Sequence, residues 1–283
     1  MGSKMSKEPV NTYISIKPHK GWLRIDFKEL WEYRELAYFF TWREIKVRYK
    51  QTIIGALWAV FQPVMATIIF TIFFGKFAKM PSEGIPYPLF VYTGLIFWNY
   101  FSFGLTHASE SMIGNANIIQ KIYFPRLIIP ISSSLVGLID FAVSGVLLVV
   151  LMFYYNYMPG FSNFLMVPVL LVLTFFASVG LGSFLGAINV KYRDVRYAVP
   201  FFIQMLIFLT PVIYPVSIID PKYKWLLGLN PMSGIIEAAR FFILGTNRLD
   251  LEVFFISCIT SLCFFVFGII YFRKTERFFA DII

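Results

Sequence analysis

The amino-acid sequence predicts an all-α integral membrane protein with six transmembrane helices. Three observations predict it. Hydrophobic residues make up 58% of the chain and charged residues only 14%, against about 45–50% and about 25% in soluble domains. Apolar runs close to the length needed to cross a bilayer, about 20 residues, recur six times, at 53–75, 88–108, 127–153, 164–188, 197–214 and 253–272. The cations are unevenly shared between the connections. Nineteen of the 25 lysines and arginines lie in the N-terminal segment, the second and fourth connections and the C-terminal tail, and six lie in the other three. Because cytoplasmic connections carry the excess of Lys and Arg, both termini are expected in the cytoplasm. The formal net charge of +9 then marks the cytoplasmic membrane surface and needs no nucleic acid as partner.

Residues 1–25 form a polar N-terminal tail, with no apolar stretch of the kind a signal peptide needs. Its opening MGSK reads as an expression remnant, with Met5 the natural start. Residues 26–51 follow as a cytoplasmic interface helix. Asp26 and Glu29 stand three apart, as in a capping box. Leu30, Tyr33, Ala37 and Phe40 form one stripe, widened by Trp31, Tyr38, Trp42 and Ile45, while Arg34, Arg43, Lys46, Arg48 and Lys50 supply cations. A helix with aromatic residues on one side and cations on the other lies in the membrane interface. The remainder, 52–283, reads as a single transmembrane domain. Its third span is long enough to tilt. Its fifth is short and carries Pro200 and Pro211.

Two connections are too patterned to be slack. SMIGNANIIQKIYFPR, residues 111–126, interleaves Ile113, Ile118, Ile119, Ile122 and Phe124 with Asn115, Asn117, Gln120 and Lys121, and closes on Pro125 and Arg126. It predicts a short amphipathic helix between spans 2 and 3. WLLGLNPMSGIIEAARFFILG, residues 225–245, is apolar enough to enter the bilayer, but Asn230-Pro231 breaks it, and Glu237 and Arg240 share a face three residues apart. Irregular backbone at membrane depth is tolerated only against protein or water. Two short helices that dip into the outer leaflet and return, with Glu237 and Arg240 paired, are therefore expected. A full span here would put Arg273, Lys274 and Arg277 outside.

No catalytic set is present, and the chain is not expected to be an enzyme. There is no G-x-S-x-G and no G-x-x-x-x-G-K-[ST] phosphate loop, and Gly75-Lys76 lacks the rest of that motif. His19 and His107 have no metal-ligand spacing. Cys258 and Cys263, both in the last span, read as packing or lipid-facing residues. One acid, Asp140, lies inside a span. It is either a pathway or protonation residue or a packing acid bonded to nearby Ser, Asn or backbone, because no Lys or Arg lies deep in any span to pair with it. GSFLG, residues 182–186, has small residues four apart and is expected to pack against a helix of the same subunit.

Three segments carry a resemblance: YRELAYFFTWREIKVRYKQTIIGALWAVFQP (33–63), NANIIQKIYFPR (115–126) and LTPVIYPVSIIDPKYKWLLGLNPMSGIIEAAR (209–240); NVKYRDVRYAVPF (189–201) also fits. In this order they resemble the membrane subunit of a type-2 ABC exporter, of the polysaccharide-export branch that handles O-antigen, capsule and teichoic acid. The resemblance implies that 115–126 is the coupling helix, docking on a cytoplasmic ATPase through Asn115, Asn117, Ile118, Lys121, Ile122, Tyr123 and Phe124, with Arg126 at the membrane interface. It implies two copies of this chain, two ATPase subunits that hold ATP and Mg, no cofactor in this chain, and a pathway at the dimer seam in a bacterial inner membrane. The implied substrate is a glycan on an undecaprenyl-type lipid phosphate or pyrophosphate. Trp98, Asn99 and Tyr100 are candidates for the sugar path, and Arg43, Arg48 and Lys50 for the lipid phosphate. Asn230, Pro231, Glu237 and Arg240 would cap the outer end. The alternatives are a type-2 ABC exporter of drugs or small lipids, which has no special need of aromatic residues, and a partner-free scramblase or gradient-driven carrier, which needs no docking helix.

Overall fold

The computed structural model describes residues 27–50, 55–157, 161–246 and 248–279. The readings of Met5, His19 and the Asp26 cap lie outside them. Among the described residues every regular element is helical. The interface segment forms α1 (Phe27–Glu32) and α2 (Arg34–Lys50). It is not one helix as expected: Tyr33 is a single turn residue between them. The ladder survives there, because Tyr33 N–H donates to Glu29 O and Ala37 N–H to Tyr33 O. Phe40 is buried, and Leu30, Tyr33, Leu36 and Ala37 pack beside it, while Trp31, Tyr38 and Trp42 stay on the outside.

Helix α3 (Gly55–Phe70) runs into a wider π-type turn, Thr71–Phe77. Pro63 lies inside α3 and cannot donate to the carbonyl four residues back. That carbonyl, on Ala59, receives the Ser144 hydroxyl at 3.4 Å. Ser144 belongs to α7 (Gly137–Tyr154), which follows α6 (Ile128–Leu135) after a break at Val136. The Ser144–Ala59 bond ties α3 to α7 across two sequence-distant segments.

Helix α4 (Tyr87–Gly114) is the axis of the bundle, about 42 Å long at 1.5 Å per residue. Leu89, Phe90, Val91, Tyr92 and Phe101 on it are fully buried. Against it lies α8 (Val167–Lys191), which also packs along α12 (Leu251–Thr275). Small residues allow these approaches. Gly182 and Gly186 of the GSFLG segment lie against Ala108 and Ser109 of α4, and Gly180 meets Gly268 of α12.

Four stretches among the described residues are long and apolar enough to cross a membrane: Leu57–Phe77, Ile128–Tyr154, Phe164–Lys191 and Leu251–Phe278. The other two expected spans differ for physical reasons. Helix α4 intersperses Tyr, Trp, Asn and Ser with its apolar residues, and it can do so because protein surrounds it. Helix α9 (Val195–Leu209) is apolar but short. It ends five residues before the expected position, because Thr210 precedes Pro211 and takes an extended conformation.

The connection after α9 folds as α10 (Lys224–Gly228), α11 (Pro231–Ala239) and a π-type turn, Arg240–Leu244, ended by Gly245 at φ +70°. Asn230 caps α11: its Oδ1 accepts from Met232 N–H, and its Nδ2 donates to Thr210 Oγ1 at 2.7 Å. Pro231 follows at the first helical position, where it lacks no needed donor. Nearly all of α11 is buried against α4, α8 and α12.

Candidate functional site

At the α2 end of the bundle, α4 stops at Gly114. Asn115 leaves helical geometry (φ −110°), and its side-chain Nδ2 turns back to Ser111 O at 2.9 Å. One turn follows, α5 (Ala116–Ile119), and then irregular chain to Pro125. The amphipathic helix expected over 115–126 is therefore a single turn. Asn115 interrupts it on one side, and Pro125 disfavours helical backbone at Phe124 on the other.

This knuckle sorts its residues sharply. Ile122 is 61% and Tyr123 69% exposed, beside exposed Asn117, Gln120 and Lys121. Ile118 is half-buried. Phe124 is buried with its ring 5.7 Å from that of Phe40 on α2. Arg126 donates to the carbonyl of Glu276 at the end of the last helix.

Helix α2 is fastened along its length. Arg43 donates to Asn115 Oδ1 at 2.6 Å and stands over the Phe40 ring. Thr41 donates to Ser132 O, and Glu44 accepts from Ser133 at 2.9 Å. Burial pushes the Glu44 carboxyl up, against the opposing pull of the Ser133 hydroxyl and of Arg43. At the far end, Arg48 pairs with Asp140 Oδ2 at 2.6 Å, and the Tyr49 hydroxyl donates to Oδ1. Burial and the Asp140 bond both raise the Tyr49 phenol above its ordinary range. Lys50 is exposed.

The Asp140 reading is thereby corrected: its partners are a cation and a phenol from α2. Sequence reasoning looked for that cation within the spans. Arg48 also stands over the Phe103 ring, which stacks on His107 with centroids 3.8 Å apart. Tyr49 and Glu44 went unnoticed because they lie outside the apolar runs, and only the chain's return brings them to α6 and α7.

Behind the pair lies a cavity of about 210 Å³, walled by α3, α4 and α7. Asn99 and Tyr100 line it, with Trp58, Gln62, Thr106 and Ser144. Trp98 does not line it; it is buried in the core beside Phe101. A larger groove of about 780 Å³ runs along α2 from Asn117 and Arg43, and the two share Arg48, Phe103 and His107.

At the other end of α4, Arg240 is 2% exposed. Its guanidinium donates to the carbonyls of Phe90 (3.1 Å), Pro211 (2.7 Å) and Val212 (2.6 Å) and lies 3.5 Å from the Phe90 ring centroid. It forms no ion pair with Glu237; the expected pairing is replaced by this carbonyl cradle, and Glu237 Oε2 has no partner. The cradle joins α4, the turn after α9 and α11. Lys224 and Asp250, which the sequence did not single out, pair nearby at 2.8 Å.

Among the described residues no group of His, Cys, Asp and Glu could hold a metal ion. The profile of the ABC-2 type transporter family matches residues 35–244, a range that takes in α2, the knuckle, the cavity and the Arg240 cradle. The chain is 30% identical over 250 residues to an O-antigen export system permease protein, RfbA, of Klebsiella pneumoniae, covering 88% of this chain and 95% of the relative. It is 31% identical over 215 residues to the RfbA permease of Myxococcus xanthus, covering 75% and 81%. It is 24% identical over 202 residues to the polysialic acid transport protein KpsM of Escherichia coli, covering 70% and 77%. The helical bundle, its apolar spans and this match over most of the chain lead to one assignment: the protein belongs to the ABC-2 type transporter family of membrane permeases.

Proposed function

We propose that this chain is the membrane-spanning subunit of an ATP-driven exporter that moves a lipid-linked polysaccharide across the bacterial inner membrane. The carrying observation is the similarity to O-antigen export permeases along 88% of the chain. In this reading α4 and α9 complete the four apolar stretches to six spans. The termini and the knuckle face the cytoplasm, where the cations concentrate, and α10 and α11 are the re-entrant pair at the outer end. Two copies of the chain assemble with two separate ATPase subunits that hold ATP and Mg.

The geometry supports a route for the energy. Exposed Ile122 and Tyr123 offer apolar anchors to an ATPase groove. Phe124–Phe40 and Asn115–Arg43 join the knuckle to α2, and Arg48 and Tyr49 join α2 to Asp140 beside the cavity. A push on the knuckle is carried by a packed helix, where a slack loop would absorb it. The cations of α2 face the level where an undecaprenyl-type phosphate would lie, Lys50 openly and Arg43 and Arg48 within their existing contacts.

The test is deletion of the gene in its host, with surface glycan measured and the tagged chain purified from membranes. Loss of surface glycan, with accumulation inside and copurification of an ATPase, is expected. Unchanged surface glycan in the deletion strain overturns the reading.

A further inference from the structure

Asp250 is the junction of α10, α11 and α12. Its Oδ2 pairs with Lys224 of α10 at 2.8 Å, its Oδ1 caps α12 by accepting from Val253 N–H, and its backbone gives a hydrogen bond to the Glu237 carboxylate of α11. The bond to Glu237 thus fastens α11 to the start of α12. The other side of that carboxylate is not provided for: Oε2 is shut off from water and has no hydrogen-bond partner. A buried carboxylate is tolerated when a cation pairs with it. The cation three residues on, Arg240, gives its donors to the carbonyls of Phe90, Pro211 and Val212 instead.

The charges around Glu237 do not balance while it is ionised. The charged groups that act on it are Asp250, Glu83 in the loop before α4, and Arg240; Lys224 joins them through its pair with Asp250. The Glu83 carboxylate accepts from the Ser217 hydroxyl at 2.9 Å. Arg248, two residues before Asp250, is exposed to solvent. Three carboxylates therefore share this corner with two cations, both already engaged. A proton on Glu237 makes the balance two against two. Where like charges share a poorly hydrated place, one of them keeps its proton to a higher pH. Helix α11 lies outside the four stretches that can cross a membrane. Burial, and then Asp250 and Glu83, push the Glu237 carboxyl up to about 7, against the Asp250 hydrogen bond and Arg240.

We propose that Glu237 is a proton-operated latch that holds the α10–α11 pair to the start of α12. Protonated, it stays seated beside Asp250 and keeps α11 closed on the bundle. Ionised, it is a third carboxylate at the junction, beside cations that are already engaged, and a released form in which water reaches it gains. A carboxyl whose proton is held more tightly in the seated form favours seating at low pH. That preference is lost as pH rises from its ordinary 4.5 to about 7. In the export reading this end of the bundle faces outward, so the latch answers to the pH outside the membrane. Only that placement rests on the export reading; the latch is a property of the chain itself.

The experiment is amide hydrogen exchange of the full chain in detergent from about pH 5 to about pH 8, corrected for the intrinsic effect of pH, with α11 compared with α8. Protection of α11 is expected to fall by roughly tenfold per pH unit up to about pH 7, the effect of one bound proton, and then to level off, while α8 holds. Glu237→Gln, which keeps an acceptor for the Asp250 backbone, is expected to flatten the fall. Glu83→Gln, which removes a neighbouring negative charge, is expected to move its midpoint to lower pH. Protection of α11 that does not change with pH, or a fall that persists in Glu237→Gln, overturns the latch. Should Glu237→Gln fail to fold, Glu83→Gln decides, and an unmoved midpoint overturns the latch. The chain is measured alone, so these outcomes leave the export reading to the deletion strain, and unchanged surface glycan there removes only the outward placement.

Discussion

The two ends of α4 are built on opposite principles. At one end, Arg240 spends its donors on three carbonyls inside protein and leaves no polar surface to offer. At the other, Ile122 and Tyr123 stand more than half exposed on a knuckle whose flanks, Asn115 and Phe124, are firmly held. The first end is closed on itself, and its residues serve the fold. The second presents apolar side chains from a rigid mount, which is what a docking surface requires. The difference teaches that the amount of hydrogen bonding at a segment says little about its role; what matters is whether the bonds point inward or hold something outward.

The largest effect should fall at the closed end. Arg240→Ala strands three buried carbonyls, and at about 1–3 kcal/mol for each unsatisfied group the loss should be about 3–5 kcal/mol, seen as failure of the detergent-purified chain to survive mild heating. Arg240→Lys should recover only part of it, because an ammonium lacks the planar fork. Glu237→Ala, which loses one backbone hydrogen bond at Asp250 and no ion pair, should be far milder. Equal damage from both would restore the expected ion pair and break the contrast.

At the open end, Tyr123→Ala or Ile122→Asp should leave stability within about 0.5 kcal/mol, as for surface changes. Export should nonetheless fall, since anchors of this kind carry about 2 kcal/mol or roughly thirtyfold in affinity. Lys121→Ala should do much less. Glycan export and thermal melting, measured on the same variants, separate the two ends; a Tyr123→Ala chain that melts early would make the knuckle part of the core.

The link between them is smaller. Asp140→Ala removes the partner of Arg48 in a setting about one-third exposed, so roughly 1–2 kcal/mol is expected after allowance for solvent screening. The exchange Arg48→Asp with Asp140→Arg should return part of both stability and export. If Asp140→Ala leaves export untouched, the route from knuckle to cavity does not pass through this pair.

The smallest effect concerns pH. Burial raises the Glu44 carboxyl above its ordinary 4.5 when α2 is docked. A raised value means that docking is favoured where the acid keeps its proton and weakens as pH rises through and above that range. Protease protection of α2 should therefore decline modestly above about pH 4.5, and Glu44→Gln should flatten the change. A decline that persists in Glu44→Gln belongs to another group.

Legibility in the sequence followed the range of the forces. Asn230-Pro231 announced a break, and it is there, with Asn230 capping the helix that follows, because capping involves only the next few residues. The apolar runs announced membrane helices, because lipid acts on each segment alone. The 115–126 helix shrank to one turn because periodicity gave too little weight to Asn115 and Pro125. Arg240 and Asp140 were noticed, yet both partners were misread. Their partners lie at Phe90, Pro211 and Val212 and at Arg48 and Tyr49, and the nearest of these is 28 residues away.

By itself, the sequence determined that this chain is a helical membrane protein of the ABC-2 type, with its cations unevenly shared among the connections, no phosphate loop and a patterned connection at 111–126. Composition, hydropathy and local caps act on each residue where it stands, so they can be read without knowing its neighbours in space. Only the tertiary structure decided that α2 is bolted to Asp140, that Arg240 gives its hydrogen bonds to carbonyls and not to Glu237, and that the Tyr100 hydroxyl is buried without a partner. Each of these depends on which donors and acceptors the packing of distant helices brings together, and that is a property of the packed bundle.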